Sequence, residues 1–246
     1  MKRGRSPVRY TLDDRRKLAQ WLITLPGAPG QKRDNTIDDL VGDLAGKVKD
    51  NAKVLRETFV DFALEFPTKG YAAALVLGLL NCKDEICSVF VKETVAEVCN
   101  RIKSSLKDGK HLLAKQGLRF IVCCAVADVV KASSVLVILK SMVDLALNLT
   151  KEVSDKAGSC YYGEFLVYCV LSTLPWGLKK LRSENAEAFI ALLQQLQGYM
   201  NGRPMKLVNN SLALFKQGYP DLDFSEGSDS CGLVGHVNHI WGLYST

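Results

Sequence analysis

The sequence predicts an all-α protein built from stacked antiparallel helical hairpins, an α-solenoid or related helical-repeat domain. Three observations carry that prediction. Apolar residues recur three and four positions apart through most of residues 36–200, the period of one face of a helix. No stretch alternates apolar and polar residues with the period of two that marks a strand. Gly, Pro, Ser and Asp punctuate the pattern so that successive helix pairs occupy ~40 residues each, within the range of helical repeats.

Taken in order, Thr36 is the expected N-cap of a first helix, with Asp38 and Asp39 in the first turn where acids suit the positive end of the helix dipole. Ile37, Leu40, Val41, Leu44 and Val48 form its apolar face, and Gly46 is the expected point of loosening or termination. Val54, Leu55, Thr58, Phe59, Phe62 and Phe66 predict a second helix, stopped by Pro67, which disfavours helix in the residue before it. Pro67 fits the opening turn of a third helix through Tyr71 to Asn81. Asp84 to Lys107 carries Ile86, Phe90, Val91, Val95, Val98 and Ile102, and Lys107-Asp108-Gly109 breaks it. His111 to Val130 reads as a strongly apolar, central helix. Ser133 or Ser134 caps the next, to about Val153. After a turn at Ala157-Gly158-Ser159, a helix runs from Tyr161 to Leu174, where Pro175 forces a kink or restart, and Ser183 to Met200 forms a further one. The expected organisation is thus a basic segment with a short helix at 1–33, a helical-repeat domain at 34–200, and a loop with an incomplete helix at 201–246.

Composition narrows the function. With 246 residues, 48% apolar and 24% charged, the chain can bury a sizeable core. No run approaches the ~18–20 consecutive apolar residues of a membrane helix. Residues 1–33 hold nine Lys or Arg against two acids, a net +7, whereas the whole chain is +6, leaving the other 213 residues at −1. The cationic character therefore belongs to one end, and a broad phosphate-binding body is disfavoured. Lys2, Arg3 and Arg5, with Arg15-Arg16-Lys17 further on, fit an import signal, a weak nucleic-acid contact or a solvated terminus. The eight cysteines include no C-x-x-C pair and sit mostly in apolar helical context, as buried free thiols of a reducing compartment do.

Catalytic patterns are missing: there is no G-x-S-x-G elbow, Walker loop, H-E-x-x-H or Rossmann fingerprint, and His111, His236 and His239 stand apart from any Cys cluster. No metal site or cofactor is expected. The carboxylates fall on solvent faces except Asp128, inside Ala125-Val126-Ala127-Asp128-Val129-Val130. It reads as a helix-end acid paired with a cation, the catalytic alternative being a proton-transfer group of raised pKa. Arg119 suits a partly buried ion pair or a carbonyl contact between hairpins. Phe59, Phe62 and Phe66 have core spacing, and Trp176 after Pro175 reads as a wedge between repeats rather than an exposed anchor.

Several short segments go further. Leu174-Pro175-Trp176, closing Phe165 to Thr173, resembles the Leu-Ser-Ser-Leu-Pro-Trp region of the nuclear cap-binding complex large subunit. Pro67-Thr68-Lys69, then Gly78-Leu79-Leu80-Asn81, is similar to that family's P-x-K and G-L-L-N segment, and Leu118-Arg119-Phe120-Ile121 to its V-R-F-L helix. Val89-Phe90-Val91 and Leu44-Ala45-Gly46 follow the same order, so the likeness spans residues 36–200. It departs at Gly177-Leu178, where the family has Val-Gly, and past Asn201. Family members are much longer, with two further helical domains, so the chain is expected to be a fragment, a truncated product or a divergent short form. The resemblance implies an initiation-factor-4G-type middle domain with HEAT-like hairpins, in which Pro67, Gly78, Asn81, Arg119, Phe120, Leu174, Pro175 and Trp176 are structural residues. It implies a non-catalytic, nuclear scaffold that shuttles to the cytoplasm, supports a small cap-binding RNA-recognition-motif subunit and docks RNA processing and export factors. The resemblance also implies an indirect meeting with capped RNA, and Lys2, Arg3 and Arg5 as candidate ligands of an import receptor. The alternative from the same fold is a cytoplasmic translation-initiation scaffold that docks an RNA helicase.

Overall fold

The computed structural model describes residues 16–18, 20, 35–66, 69–153 and 161–200. Every regular element among them is helical: α1 (Asn35–Glu65), α2 (Gly70–Asn81), α3 (Glu85–Lys107), α4 (His111–Val126), α5 (Ala132–Val153), α6 (Tyr161–Thr173), a 3₁₀ turn (Leu174–Trp176), α7 (Leu178–Glu184) and α8 (Ala186–Met200). The expected all-α class of helical hairpins is what forms. Contacts divide the chain into two units, one ending at Val130 and the other beginning at Lys131.

In the first unit, α1 packs on α2, α3 and α4, while α2, α3 and α4 also pack on one another. The two helices expected over 36–66 form within the single span of α1, and they meet at a break at Asn51 (φ −131°, ψ 19°) rather than at Gly46. The Asn51 side-chain amide donates to the Lys47 carbonyl at 3.3 Å, the acceptor its own N–H would use in a straight helix. The helix begins at Asn35, ahead of the expected cap at Thr36, and ends at Glu65, just before the residue that precedes Pro67. Pro67 itself lies outside the described residues, and α2 starts only at Gly70.

Asp84, expected as the first residue of the helix, instead caps α3: its side chain accepts from the Cys87 N–H at 2.7 Å. Its buried stripe runs Cys87, Phe90, Val91, Thr94, Val98, Ile102 and Ser105, whereas Ile86 is 50% exposed. The core face is thus rotated one residue from the predicted stripe at its start. At the other end, Gly109 (φ +69°) lets the Lys110 N–H reach the Ser105 carbonyl at 2.8 Å. This 6→1 closure ends the helix and turns the chain into α4.

The expected run of α4 to Val130 is wrong by four residues. Asp128 adopts φ +57°. The Val129 N–H then donates to Cys124 at 2.8 Å and the Asp128 N–H to Ala125 at 3.2 Å, the same closure that ends α3. A short polar side chain is among the few besides glycine that tolerate this left-handed conformation.

The second unit is organised on α5, which packs on α6, α7 and α8. The helix starts at Ala132, so Ser133 and Ser134 lie within its first turn instead of capping it. Its segment Ala132–Lys151 is long and apolar enough to cross a membrane, with mean hydropathy 1.6. Lys140 and Asp144 interrupt it, while Val135, Leu136, Leu139, Val143 and Ala146 are buried in the unit's core. Pro175 produces the restart as a 3₁₀ turn followed by α7, a helix missing from the sequence reading. α8 opens at Asn185, whose side-chain oxygen accepts from the Ala188 N–H at 3.1 Å.

Candidate functional site

The residues singled out in the sequence separate into two neighbourhoods, one in each unit. In the first, Gly78 of α2 abuts the end of α4. A methyl group built on it would lie 2.6 Å from the Ala127 carbonyl oxygen, a backbone atom that cannot swing aside. Gly70, at the other end of α2, meets Phe120, which is 1% exposed. A Cβ on Gly117 would lie 2.5 Å from Ile102 and 3.3 Å from Leu64. Absent side chains therefore let α2 and α4, and α4 and α3, approach closely. Asn81 is half-buried as the last residue of α2, and Arg119 is half-buried one helical turn before Cys123. Gly78 and Phe120 thus lie in the packed α2–α4 layer, and Asn81 and Arg119 stand half-buried on the same two helices. Lys2, Arg3 and Arg5 lie outside the described residues.

The thiols of this layer are poor nucleophiles. Burial pushes Cys123 up to about 12, against a smaller opposing effect of the Arg119 charge. Burial raises Cys124 well above its ordinary value, with the neighbouring Cys123 and Cys99 adding to it. Cys87 is pushed up to about 11 by burial, with hydrogen bonding to Asp84 and the Asp84 charge adding. A thiol must ionise to attack or to ligate, so these groups serve as core packing. Asp84 in turn is held below its ordinary value, first by the Cys87 N–H. Among the described residues, no group of three or more His, Cys, Asp or Glu is placed to hold a metal.

Asp128 is exposed, and its visible work is conformational. The carboxylate buried among the described residues is another: Glu164, 4% exposed, in the first turn of α6. Its position between Tyr161-Tyr162-Gly163 and Phe165-Leu166-Val167 is an apolar run of the kind that drew attention to Asp128, so the same criterion could have found it.

Between the kink of α1 and the start of α3 lies a groove of about 360 Å³, floored by Val48, Ala52, Ile86, Val89 and Phe90 and edged by Lys49, Glu85 and Glu93. Arg56 of α1 pairs with Glu93 of α3 at 2.5 Å along it. Phe59 and Phe90 meet edge to face behind it, ring centroids 6.2 Å apart. Phe66, expected in the same stripe as the buried Phe59 and Phe62, is 37% exposed and stacks on Phe62 at 4.9 Å.

In the second unit, Leu174, Leu178 and Leu181 turn inward, each no more than 1% exposed. Gly177 joins the 3₁₀ turn to α7, donating to Leu174 at 3.2 Å and accepting from Leu181 at 2.9 Å. Pro175 and Trp176 are left half-buried, and Lys179 and Arg182 exposed. Lys180 pairs with Glu184 at 2.7 Å.

No family model matches the chain. It is 25% identical over 221 residues to nuclear cap-binding protein subunit 1 of Aedes aegypti, covering 88% of this chain and 26% of that protein. It is 26% identical over 207 residues to nuclear cap-binding protein subunit 1 of Anopheles gambiae, covering 82% of this chain and 24% of that one. The chain thus spans about a quarter of the length of the curated relatives it matches. These similarities run along most of the chain and support the large-subunit-like relationship that the short motifs suggested.

Proposed function

We propose that this chain is a non-catalytic scaffold of the nuclear mRNA cap-binding complex, corresponding to part of its large subunit. The observation that carries the reading is the likeness to two nuclear cap-binding subunits along more than four-fifths of the chain. A framework that is helical throughout the described residues, with Cys123 and Cys124 deeply buried, supports it, because stacked helices of this kind offer surfaces for partners. In this reading the chain supports a small RNA-recognition-motif subunit that itself holds the methylated cap. It docks processing and export factors, resides in the nucleus and shuttles to the cytoplasm. Lys2, Arg3 and Arg5 engage an import receptor, since they head the +7 segment of an otherwise neutral chain.

The test is retention on a methylated-cap resin. The purified chain alone is expected to pass through, and to be retained when nuclear extract supplies a cap-reading partner. Retention of the chain alone, as tight as that of a true cap reader, would show that it reads the cap itself. A tagged chain is expected in the nucleus and to leave it when Lys2, Arg3 and Arg5 are replaced by Gln. Cytoplasmic residence unaffected by those changes would favour the helicase-docking alternative.

A further inference from the structure

The scaffold reading leaves the groove between α1 and α3 without a use, and the two banks of that groove complement each other. Its floor is apolar, from Val48, Ala52 and Phe90. Ile86 and Val89 line the α3 bank at 50% and 48% exposure, so this bank offers apolar knobs as well as a wall. Arg56 of α1 and Glu93 of α3 join the banks as an ion pair. About two helical turns earlier on each helix stand Lys49 on the α1 bank and Glu85 on the α3 bank. Both are exposed, and neither has an ion-pair partner among the described residues. One face thus carries a hollow, the side chains to fill such a hollow, and one uncompensated charge of each sign on opposite banks.

We propose that this face binds a second copy of the chain about a two-fold axis running along the groove. A two-fold interface uses the same patch on both subunits, so the patch must complement itself. With the axis along the groove, the α3 bank of each copy lies on the α1 bank of the other. Ile86 and Val89 of each copy then cover the small-residue side of the facing groove. Lys49 meets Glu85 of the partner subunit, and Glu85 meets the partner subunit's Lys49. A segment of one sign, acidic or basic, satisfies one bank and repels the other. A foreign helix needs two apolar side chains flanked by an acid and a base in matching places, all of which a second copy already has. The groove is short and its knobs are half-buried already, so the interface is smaller than a standard one and the association is weak and reversible.

The experiment is sedimentation equilibrium of the full chain across a concentration series, with Lys49→Glu and Glu85→Lys measured singly and as an equal mixture. The unaltered chain is expected to pass from monomer to dimer as concentration rises. In a dimer of either variant with itself both pairs become like-charged, and association is expected to weaken about tenfold. In the mixture one copy carries both anions and the other both cations, so each pair is again opposite in sign and the dimer is expected to return. Ile86→Ser leaves charge untouched and is expected to weaken association about fivefold, with unchanged circular dichroism because the side chain is half exposed. Lys140→Glu, an exposed charge reversal on α5, should leave association within about twofold. Glu85 lies in the first turn of α3, so a small drop in melting temperature accompanies its reversal. The proposal is overturned by a monomer at every concentration, by association that Ile86→Ser leaves unchanged, by equal weakening from Lys140→Glu, or by folded single variants whose mixture fails to recover. The last result would assign the groove to a helix of a different protein.

Discussion

The two units solve the same packing problem differently. In the first, four helices all touch one another, and small residues allow it: Gly78 against the Ala127 carbonyl and Gly117 against Ile102. In the second, one helix is the hub. α6, α7 and α8 gather on α5, with polar contacts on its seam to α8: Gln195 donates to Asp144 at 3.1 Å, and the Thr150 and Tyr199 hydroxyls lie 3.5 Å apart. Both units leave apolar groups outside, Leu112 (60% exposed) and Ile86 (50%) in the first and Val137 (64%) and Leu145 (45%) in the second. Mutual packing therefore goes with close backbone approach, whereas hub packing tolerates a polar seam.

The comparison is most sharply tested by truncating each core. Phe120→Ala should cost about 3–5 kcal/mol, and Leu139→Ala on the hub about 2–5 kcal/mol, read by urea unfolding. Costs below about 1 kcal/mol at Phe120 would mean that the first unit is not interlocked as described.

The glycine contrast is next. Gly78→Ala should destabilise by about 1–3 kcal/mol even though alanine is the better helix former, because a backbone oxygen occupies the space. Gly46→Ala, with nothing within 4 Å of the added carbon, should stabilise by about 0.5–1 kcal/mol. Equal melting shifts at the two positions would remove close approach as the distinguishing device.

Alkaline pH then tests the thiols. Cys123 is at about 12 in the folded chain against an ordinary 9.0, so the unfolded state loses its proton first. Stability is unaffected below pH 9 and falls as pH rises from there towards 12. The slope for one thiol is at most about 1.4 kcal/mol per pH unit. Cys123→Ala should shallow that decline, and an unchanged slope would place the alkaline sensitivity elsewhere.

The smallest effect belongs to the α5–α8 seam. The Gln195 Oε1 atom is buried with no hydrogen-bond partner among the described residues. Gln195→Leu removes that cost and should be neutral or stabilise by about 1 kcal/mol in a thermal melt. A clear loss of stability would mean that the Asp144 contact outweighs the orphaned oxygen.

The order of the longer helices was legible because each apolar stripe announces its own face. Several boundaries were not. Gly109 and Asp128 end α3 and α4 by the same backbone closure, yet only the glycine advertises itself. Similarly, Gly46 looked like the weak point of α1 when Asn51 is the kink, since a side chain competing for a carbonyl disrupts more than a missing methyl does. α7 was hidden because seven residues between Pro175 and Asn185 are too few to show a period. The site was less legible than the fold. Leu174-Pro175-Trp176 stood out as a motif, but only the structure showed that its leucine is buried while its proline and tryptophan are half-buried.

What the sequence determined alone is the all-helical class, the spacing of its stripes and the confinement of positive charge to one end, all of which depend on residues near each other in the chain. Tertiary structure decided, among the described residues, which glycines are obligatory and which carboxylate is buried. Those outcomes depend on what a distant helix brings alongside, and no local pattern encodes that neighbour.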